Sequence, residues 1–325
     1  MLARHPSTDL PALDLASAWS LLGEPVDDVE PVGNGTRSRV YRVSLSDGGT
    51  RIVRLSPRGT GRIAREAWVR ARLTGTAAPT FANVSVTHPS LSQNADVVLM
   101  NELPGVPLDK ALARASDEEA ERLWRSFGEG LAAHHAVVVD GFGLVDGAGR
   151  GSFSTWRSAM EHASLEALSD ARATELNDLC DKAEESLARD APSLDRVTEA
   201  RLAHGDAQPA NVHCVGPRVI AWFDHEYAMG ADPLYELAFV GRFFEASPAS
   251  PSSPERLARS SEGFTRGYSE RLAPIEADES RLAYYRVTHA LRTAEMLRVM
   301  KRDDPRRDEA VAYARARLEA ALTRS

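Results

Sequence analysis

The chain has 325 residues, 43% hydrophobic and 26% charged, with a net charge of −8. This is ordinary globular composition, long enough to bury a large core in one to three domains. No apolar run approaches the roughly 20 residues of a membrane span, no signal-peptide pattern opens the chain, and Cys180 and Cys214 lack metal-type spacing, so a cytoplasmic setting is expected.

Along the chain, Asp14 to about Gly23 reads as a short helix leading into a sheet. Residues 29–32, 39–45 and 50–55 alternate apolar and polar side chains between Gly-rich or Asp-Gly turns, the signature of antiparallel strands. Residues 63–73 have helical periodicity, 97–100 form a buried strand, and Glu102-Leu103-Pro104-Gly105 breaks it. From Asp117 the pattern is mostly helical: 117–138, 155–169, 172–189, 233–245, 255–271, 278–297 and 305–323. A proline-punctuated polar loop, 247–254, interrupts this part. The expectation is an α+β architecture with two lobes, a small sheet-rich lobe over 1–104 and a large helical lobe over 105–325.

The charge follows that division. It is +1 up to Pro104 and −9 beyond it. An acidic balance argues against nucleic acid as a partner, because phosphate binding needs a basic face. It suits a cationic small molecule held by the C-terminal part, or simply solvated acidic helix faces. Lysine occurs only at 110, 182 and 301, so any phosphate-binding role in the first hundred residues falls to arginine.

Chemistry concentrates between His204 and Asp224. In His204-Gly205-Asp206-Ala207-Gln208-Pro209-Ala210-Asn211 an acid precedes an amide by five positions, and an apolar run, 219–223, ends in Asp224. Phosphoryl transfer needs this set: an Asp to receive the acceptor hydroxyl's proton, then Asn and Asp oxygens to hold Mg²⁺ on the ATP phosphates. Asp206 is the expected catalytic base, with Asn211 and Asp224 as metal ligands. His204 either fixes the loop by hydrogen bonding or titrates. Glu226 is either a further carboxylate near the metal or a surface residue. Asp232 suits an N-cap, with Pro233 at the first helical position. His134 and His135 suit packing at a helix end.

Upstream, Gly33 and Gly35 between two strands let backbone N–H groups approach phosphate, and Ser38 adds a hydroxyl donor. Arg54 ends the third strand, where a phosphate-pairing basic residue belongs, and Glu66 in the next helix is its ion-pair partner.

Together these residues resemble the aminoglycoside phosphotransferase family, antibiotic and small-metabolite kinases sharing the protein-kinase fold. HGDAQPANV is similar to its His-Gly-Asp-x-x-Pro-x-Asn signature, Trp222-Phe223-Asp224 to its metal segment, and Asp232 to Ala238 to its Asp-Pro-x-x-Asp-Leu-Ala helix start, with Glu236 in the second Asp position. The resemblance implies a bilobal protein-kinase-like fold, with a small antiparallel-sheet N-lobe and a large helical C-lobe. It implies that the backbone of Asn101 and Leu103 contacts adenine, with ATP (or GTP) and Mg²⁺ as cofactors. The acceptor implied is a hydroxyl of a small molecule, either an aminoglycoside-like cationic antibiotic or a metabolite such as an amino sugar, nucleoside antibiotic or amino alcohol. A non-catalytic nucleotide-binding pseudokinase is the rival reading, which the intact Asp206, Asn211 and Asp224 disfavour.

Overall fold

The computed structural model describes residues 10, 12–34, 38–57, 61–73, 83–86, 95–245, 252–273 and 275–323. Along them run strands β1–β13 and helices α1–α11. The chain divides into two units. The first comprises Met1–Arg114, Asp146–Ala148 and Pro209–Glu226, and the second Ala115–Val145, Gly149–Gln208 and Tyr227–Ser325.

In the first unit, α1 (Leu15–Leu22) starts where the Asp14 carboxylate accepts from Ser17 N at 2.7 Å, and it stops at Gly23, φ 70°. Strands β1 (Val26–Asn34), β2 (Arg39–Leu45), β3 (Thr50–Pro57), β4 (Asn83–Val86) and β5 (Ala95–Asn101) form an antiparallel sheet in the order β1-β2-β3-β5-β4. Strand alternation sends Tyr41, Val43, Leu45, Val53, Leu55 and Val97 to one core, where they meet Leu13, Ala18 and Leu21. Burying each large side chain contributes about 1.5–3 kcal/mol. Helix α2 (Arg62–Leu73) follows β3, and β6 (Val106–Pro107) and α3 (Leu108–Leu112) follow β5. A second, three-stranded sheet runs β12-β11-β6, with β11 at Val212–Val215 and β12 at Arg218–Trp222.

The second unit is mostly helical: α4 (Asp117–His135), α5 (Trp156–Arg172), α6 (Cys180–Asp190), α7 (Pro233–Gly241), α8 (Pro254–Ser269), α9 (Glu279–Leu291), α10 (Thr293–Val299) and α11 (Arg307–Thr323). A small sheet, ordered β7-β10-β13-β8-β9, uses β7 (Val138–Val139), β8 (Phe142–Val145), β9 (Gly151–Phe153), β10 (Ala200–Ala203) and β13 (Met229–Ala231). Ser116 and Glu119 close a capping box at the start of α4. Helices α4 and α8 touch backbone to backbone: a Cβ added at Gly267 would lie 2.0 Å from the Arg125 carbonyl oxygen, and one at Gly263 2.4 Å from that of Glu121. Asp232 caps α7 through Leu234 N at 3.1 Å and also accepts from Arg281 Nη1 and the Tyr285 hydroxyl, each at 2.7 Å. Trp156 Nε1 donates to that same hydroxyl, tying α5 to α9 and α7.

Among the helical boundaries that differ from the periodicity, two have a local cause. The stretch expected as a helix from 172 becomes turns until Cys180, because the Thr174 hydroxyl takes the Ala171 carbonyl at 2.8 Å. The helix expected over 278–297 breaks after Leu291, where the Thr293 hydroxyl takes the Ala290 carbonyl at 2.6 Å.

Burial also sets a pH dependence. Desolvation, followed for His134 by the neighbouring His204, pushes His134 down to about 3, and desolvation brings His289 to about 3 as well. Below the ordinary histidine value of about 6.5 the unfolded chain binds protons at these positions that the folded chain refuses. The stability from the pair is therefore complete above about pH 6.5 and is lost as pH falls towards 3, by about 1.4 kcal/mol per pH unit for each ring. Urea unfolding should show the midpoint dropping between about pH 6.5 and 5, with a shallower drop in His289→Gln. Equal slopes for the two proteins would refute the assignment.

Candidate active site

In the first unit, Pro209–Asn211 make one 3-10 turn before β11. Val212 pairs with Trp222, and Phe223 N donates to the Asn211 carbonyl at 2.8 Å. Asn211 and Asp224 thus stand at the same open end of the β11–β12 hairpin. Asp224 has φ 59°, the one positive φ outside glycine among the described residues, a left-handed conformation costing about 1 kcal/mol. Such strain is concentrated where a side chain must be aimed.

Arg54 on β3 donates to Glu66 at 2.7 Å, and Arg70 shares the same carboxylate oxygen at 2.9 Å. Burial works against charge on Arg54, but Glu66, Asp224 and Glu226 together outweigh it and raise its pKa. The guanidinium is therefore fixed by Glu66, within the field of Asp224, and keeps its charge. The Glu226 carboxylate pairs with Arg62 at 2.9 Å, and its carbonyl accepts from Arg65 Nη1 at 2.6 Å. Glu226 is therefore a largely buried tie between the segment following Asp224 and α2. Nothing in the sequence marked Arg62 or Arg65 for this.

The other residues expected on the nucleotide side also lie in this unit. Gly33 sits on β1 opposite Val40, beside a register shift between Pro31 and Gly33, and Gly35 falls outside the described residues. The Ser38 hydroxyl shares a 3.1 Å hydrogen bond with that of Ser56 on β3. Asn101 ends β5 opposite Arg51, exposed, and Leu103 is half-buried in the following turn. Glu102 between them is ion-paired to Arg42 of β2. The backbone 101–103 is thereby tethered to the sheet.

These residues suit a nucleotide and a hard cation. The buried Arg54 Nε has no hydrogen-bond acceptor among the described residues, leaving one donor for a phosphate oxygen. Among the described residues no three His, Cys, Asp or Glu side chains cluster as a metal cage. One amide and one carboxylate oxygen on a hairpin end match Mg²⁺, which takes few protein ligands and completes its shell with phosphates and water.

Asp206 belongs to the second unit. Its backbone N–H donates to His204 Nδ1 at 3.3 Å, and its carboxylate accepts from Gln208 Nε2 at 2.8 Å. His204 is fully buried and fixes the loop. The loop is anchored by Glu236, whose carboxylate accepts from His204 N at 3.0 Å and Gly205 N at 2.6 Å. Glu236 also meets His135 Nε2 at 3.0 Å, and the other nitrogen of that ring bonds the Tyr268 hydroxyl at 2.8 Å. Burial favours the protonated acid, but the hydrogen bond from His135, with His135 and His204 nearby, outweighs it and lowers the Glu236 pKa. Gly205 has φ 81°, and a Cβ there would lie 2.1 Å from the Tyr227 carbonyl oxygen, so only glycine fits. Sequence reading noted Glu236 only as a replacement for Asp. Its spacing 31 residues after Gly205 carried no local signal.

Solved structures share this arrangement of elements. A thermostable mutant of aminoglycoside phosphotransferase APH(4)-Ia, in a ternary complex with AMP-PNP and hygromycin B, is 20% identical with a TM-score of 0.72 over 95% of this chain and 98% of its own. An ADP and hygromycin B complex of a mutant of the same enzyme is 19% identical, TM-score 0.69, over 96% and 98%. Amicoumacin kinase hAmiN, in complex with AMP-PNP, Ca²⁺ and Ami, is 14% identical, TM-score 0.63, over 96% and 92%. No curated protein matches the sequence significantly. The sheet, helices and their order are thus those of an α+β protein-kinase-like fold. The family model for the phosphotransferase enzyme family, APH, matches residues 28–273, and the chain belongs to that family. It is an enzyme, a small-molecule phosphotransferase.

Glu236 gives a direct test. In Glu236→Gln an amide NH₂ must face one of the two backbone N–H groups or the His135 ring, so urea unfolding should show a loss of about 2–4 kcal/mol. A loss under about 0.5 kcal/mol would mean the loop is held by something else.

Proposed function

We propose that the enzyme transfers the γ-phosphoryl group of ATP, with GTP as the alternative donor, to a hydroxyl of a small molecule in a Mg²⁺-dependent reaction. The observation that carries the reading is the pairing of Asn211 with Asp224 at one hairpin end, with the charged Arg54 held by Glu66 within the field of Asp224. The nucleotide complexes of the similar structures support the donor.

In this reading residues 1–104 hold the nucleotide and 105–325 carry catalysis and the acceptor. The backbone at Gly33, Gly35 and Ser38 approaches the phosphates, and that of Asn101 and Leu103 contacts adenine. Arg54, positioned by Glu66, neutralises phosphate charge. Asn211 and Asp224 hold Mg²⁺, which when bound neutralises charge on the phosphate oxygens. Asp206, oriented by Gln208 and the Glu236-anchored backbone, aligns the acceptor hydroxyl and takes its proton.

The charge of −9 beyond residue 104 supports a cationic, aminoglycoside-like acceptor met in the cytoplasm, as does hygromycin B in the similar structures. A metabolite kinase is the second reading, favoured by Arg242, which feels the charge of Asp206.

Asp206→Asn should fold, bind nucleotide and lose at least about a hundredfold in kcat. The measurement is coupled ADP release over aminoglycosides, peptide and nucleoside antibiotics and amino alcohols, with chelation of Mg²⁺ abolishing the signal. Near-normal turnover by that variant rules out Asp206 as the base. Nucleotide binding without turnover of any acceptor favours the pseudokinase reading.

A further inference from the structure

Three arginines of the second unit, from separate elements, meet around Arg242, which also feels the charge of Asp206. Arg242 follows α7, Arg292 lies at the break between α9 and α10, and Arg317 is on α11. Helix α9 packs against both α7 and α11. The Arg242 guanidinium lies over the Phe239 ring at 3.7 Å and the Phe243 ring at 4.8 Å. Arg317 lies 5.9 Å over Tyr313, and its buried Nε has no acceptor among the described residues. Arg292 donates to the Tyr235 hydroxyl at 2.9 Å, and Tyr235 together with Glu295 favours its charge.

Most of the described arginines meet a carboxylate: Arg54, Arg62, Arg125, Arg157, Arg281 and Arg315 all do. Arg242 and Arg317 have no ion pair among the described residues, and the adjoining stretch 246–251, Ala-Ser-Pro-Ala-Ser-Pro, contains no acid. Burial, then repulsion from Arg317, pushes Arg242 down to about 10, with Arg292 adding and Tyr313 and Asp206 opposing. Neighbouring cations stacked on aromatic rings, desolvated and unpaired, weaken the fold unless an anion joins them. In a chain of net charge −8 such a local excess is a binding feature.

We infer that Arg242 and Arg317, in the field of Arg292, bind an anionic group of the acceptor, so that the phosphorylated hydroxyl belongs to a small molecule carrying a carboxylate or a phosphate monoester. The planar guanidinium forks suit both oxyanions, and Phe239 and Phe243 hold the Arg242 fork in one plane. Amines elsewhere on the same molecule remain compatible with the acidic balance of this part of the chain, because net charge steers approach while the local groups select what sits beside the reacting hydroxyl. The inference rests on the placement of the acceptor hydroxyl at Asp206.

The test uses the full chain labelled with ¹⁵N-arginine and saturated with Mg-AMP-PNP, titrated separately with acetate, methyl phosphate, neutral methyl acetate and ethanolamine. Arg242→Gln and Arg317→Gln assign the Nε–Hε resonances. Saturable shifts of both resonances with acetate or methyl phosphate, but not with the other two probes, are expected below about 50 mM, enough to fill even a weak site. Tighter binding of acetate assigns a carboxylate, and tighter binding of methyl phosphate a phosphate monoester. No saturable shift, or an equal response to ethanolamine, overturns the inference. With an acceptor that turns over, Arg242→Gln should raise its KM at least about tenfold and leave the nucleotide KM unchanged. An unchanged acceptor KM also overturns it. The two readings fail separately: turnover retained by Asp206→Asn defeats the placement at Asp206, whereas an inactive Asp206→Asn with no anion-dependent shift defeats the anion site alone.

Discussion

The buried carboxylate of Glu236 is the interaction on which the loop geometry depends. Two consecutive backbone N–H groups, of His204 and Gly205, point at its two oxygens, and His135 supplies a third partner. Such an arrangement is stable only while the acid is ionised and every lone pair is met. Its lowered pKa reports that the hydrogen bonds outweigh desolvation. The loop then carries Asp206 with little freedom, since Gly205 is pinned against Tyr227 and Asp206 N against His204. Preorganisation of this kind is set by α4, α7 and α8 together, through Tyr268, His135 and Glu236.

The first unit solves a different problem, that of keeping several charges close. Arg54 and Arg70 divide one Glu66 carboxylate, while Arg62 and Arg65 take the side chain and carbonyl of Glu226. These contacts fix both sides of Asp224 in chain position or space, which is how a left-handed aspartate is maintained. The strain is local and the support is distributed over β3 and α2.

Much of this was legible in the sequence because it is local. The helix start at Asp14, the Asp232 cap, the alternation in β2 and β3, and the spacing of Asp206, Asn211 and Asp224 are short-range patterns with a direct physical cause. Strands β7 to β9 and β13 were not legible, since two to four residues carry no period. The helix breaks at Thr174 and Thr293 depend on one hydroxyl choosing a backbone carbonyl, which composition does not announce. The arginines that meet around Arg242 come from positions 242, 292 and 317, and a charge total averages them away. Net charge and local charge differ here in sign.

Arginine at position 54 has a further chemical consequence. Reagents that mark nucleotide-binding enzymes by acylating an amine beside the triphosphate require a nucleophilic lysine. A guanidinium stays protonated and does not acylate under those conditions. The first unit has one lysine, Lys110, exposed on the short α3 and paired with Asp109. On the proposed reading, an inventory of nucleotide users built on lysine labelling would therefore pass over this enzyme while it was fully active.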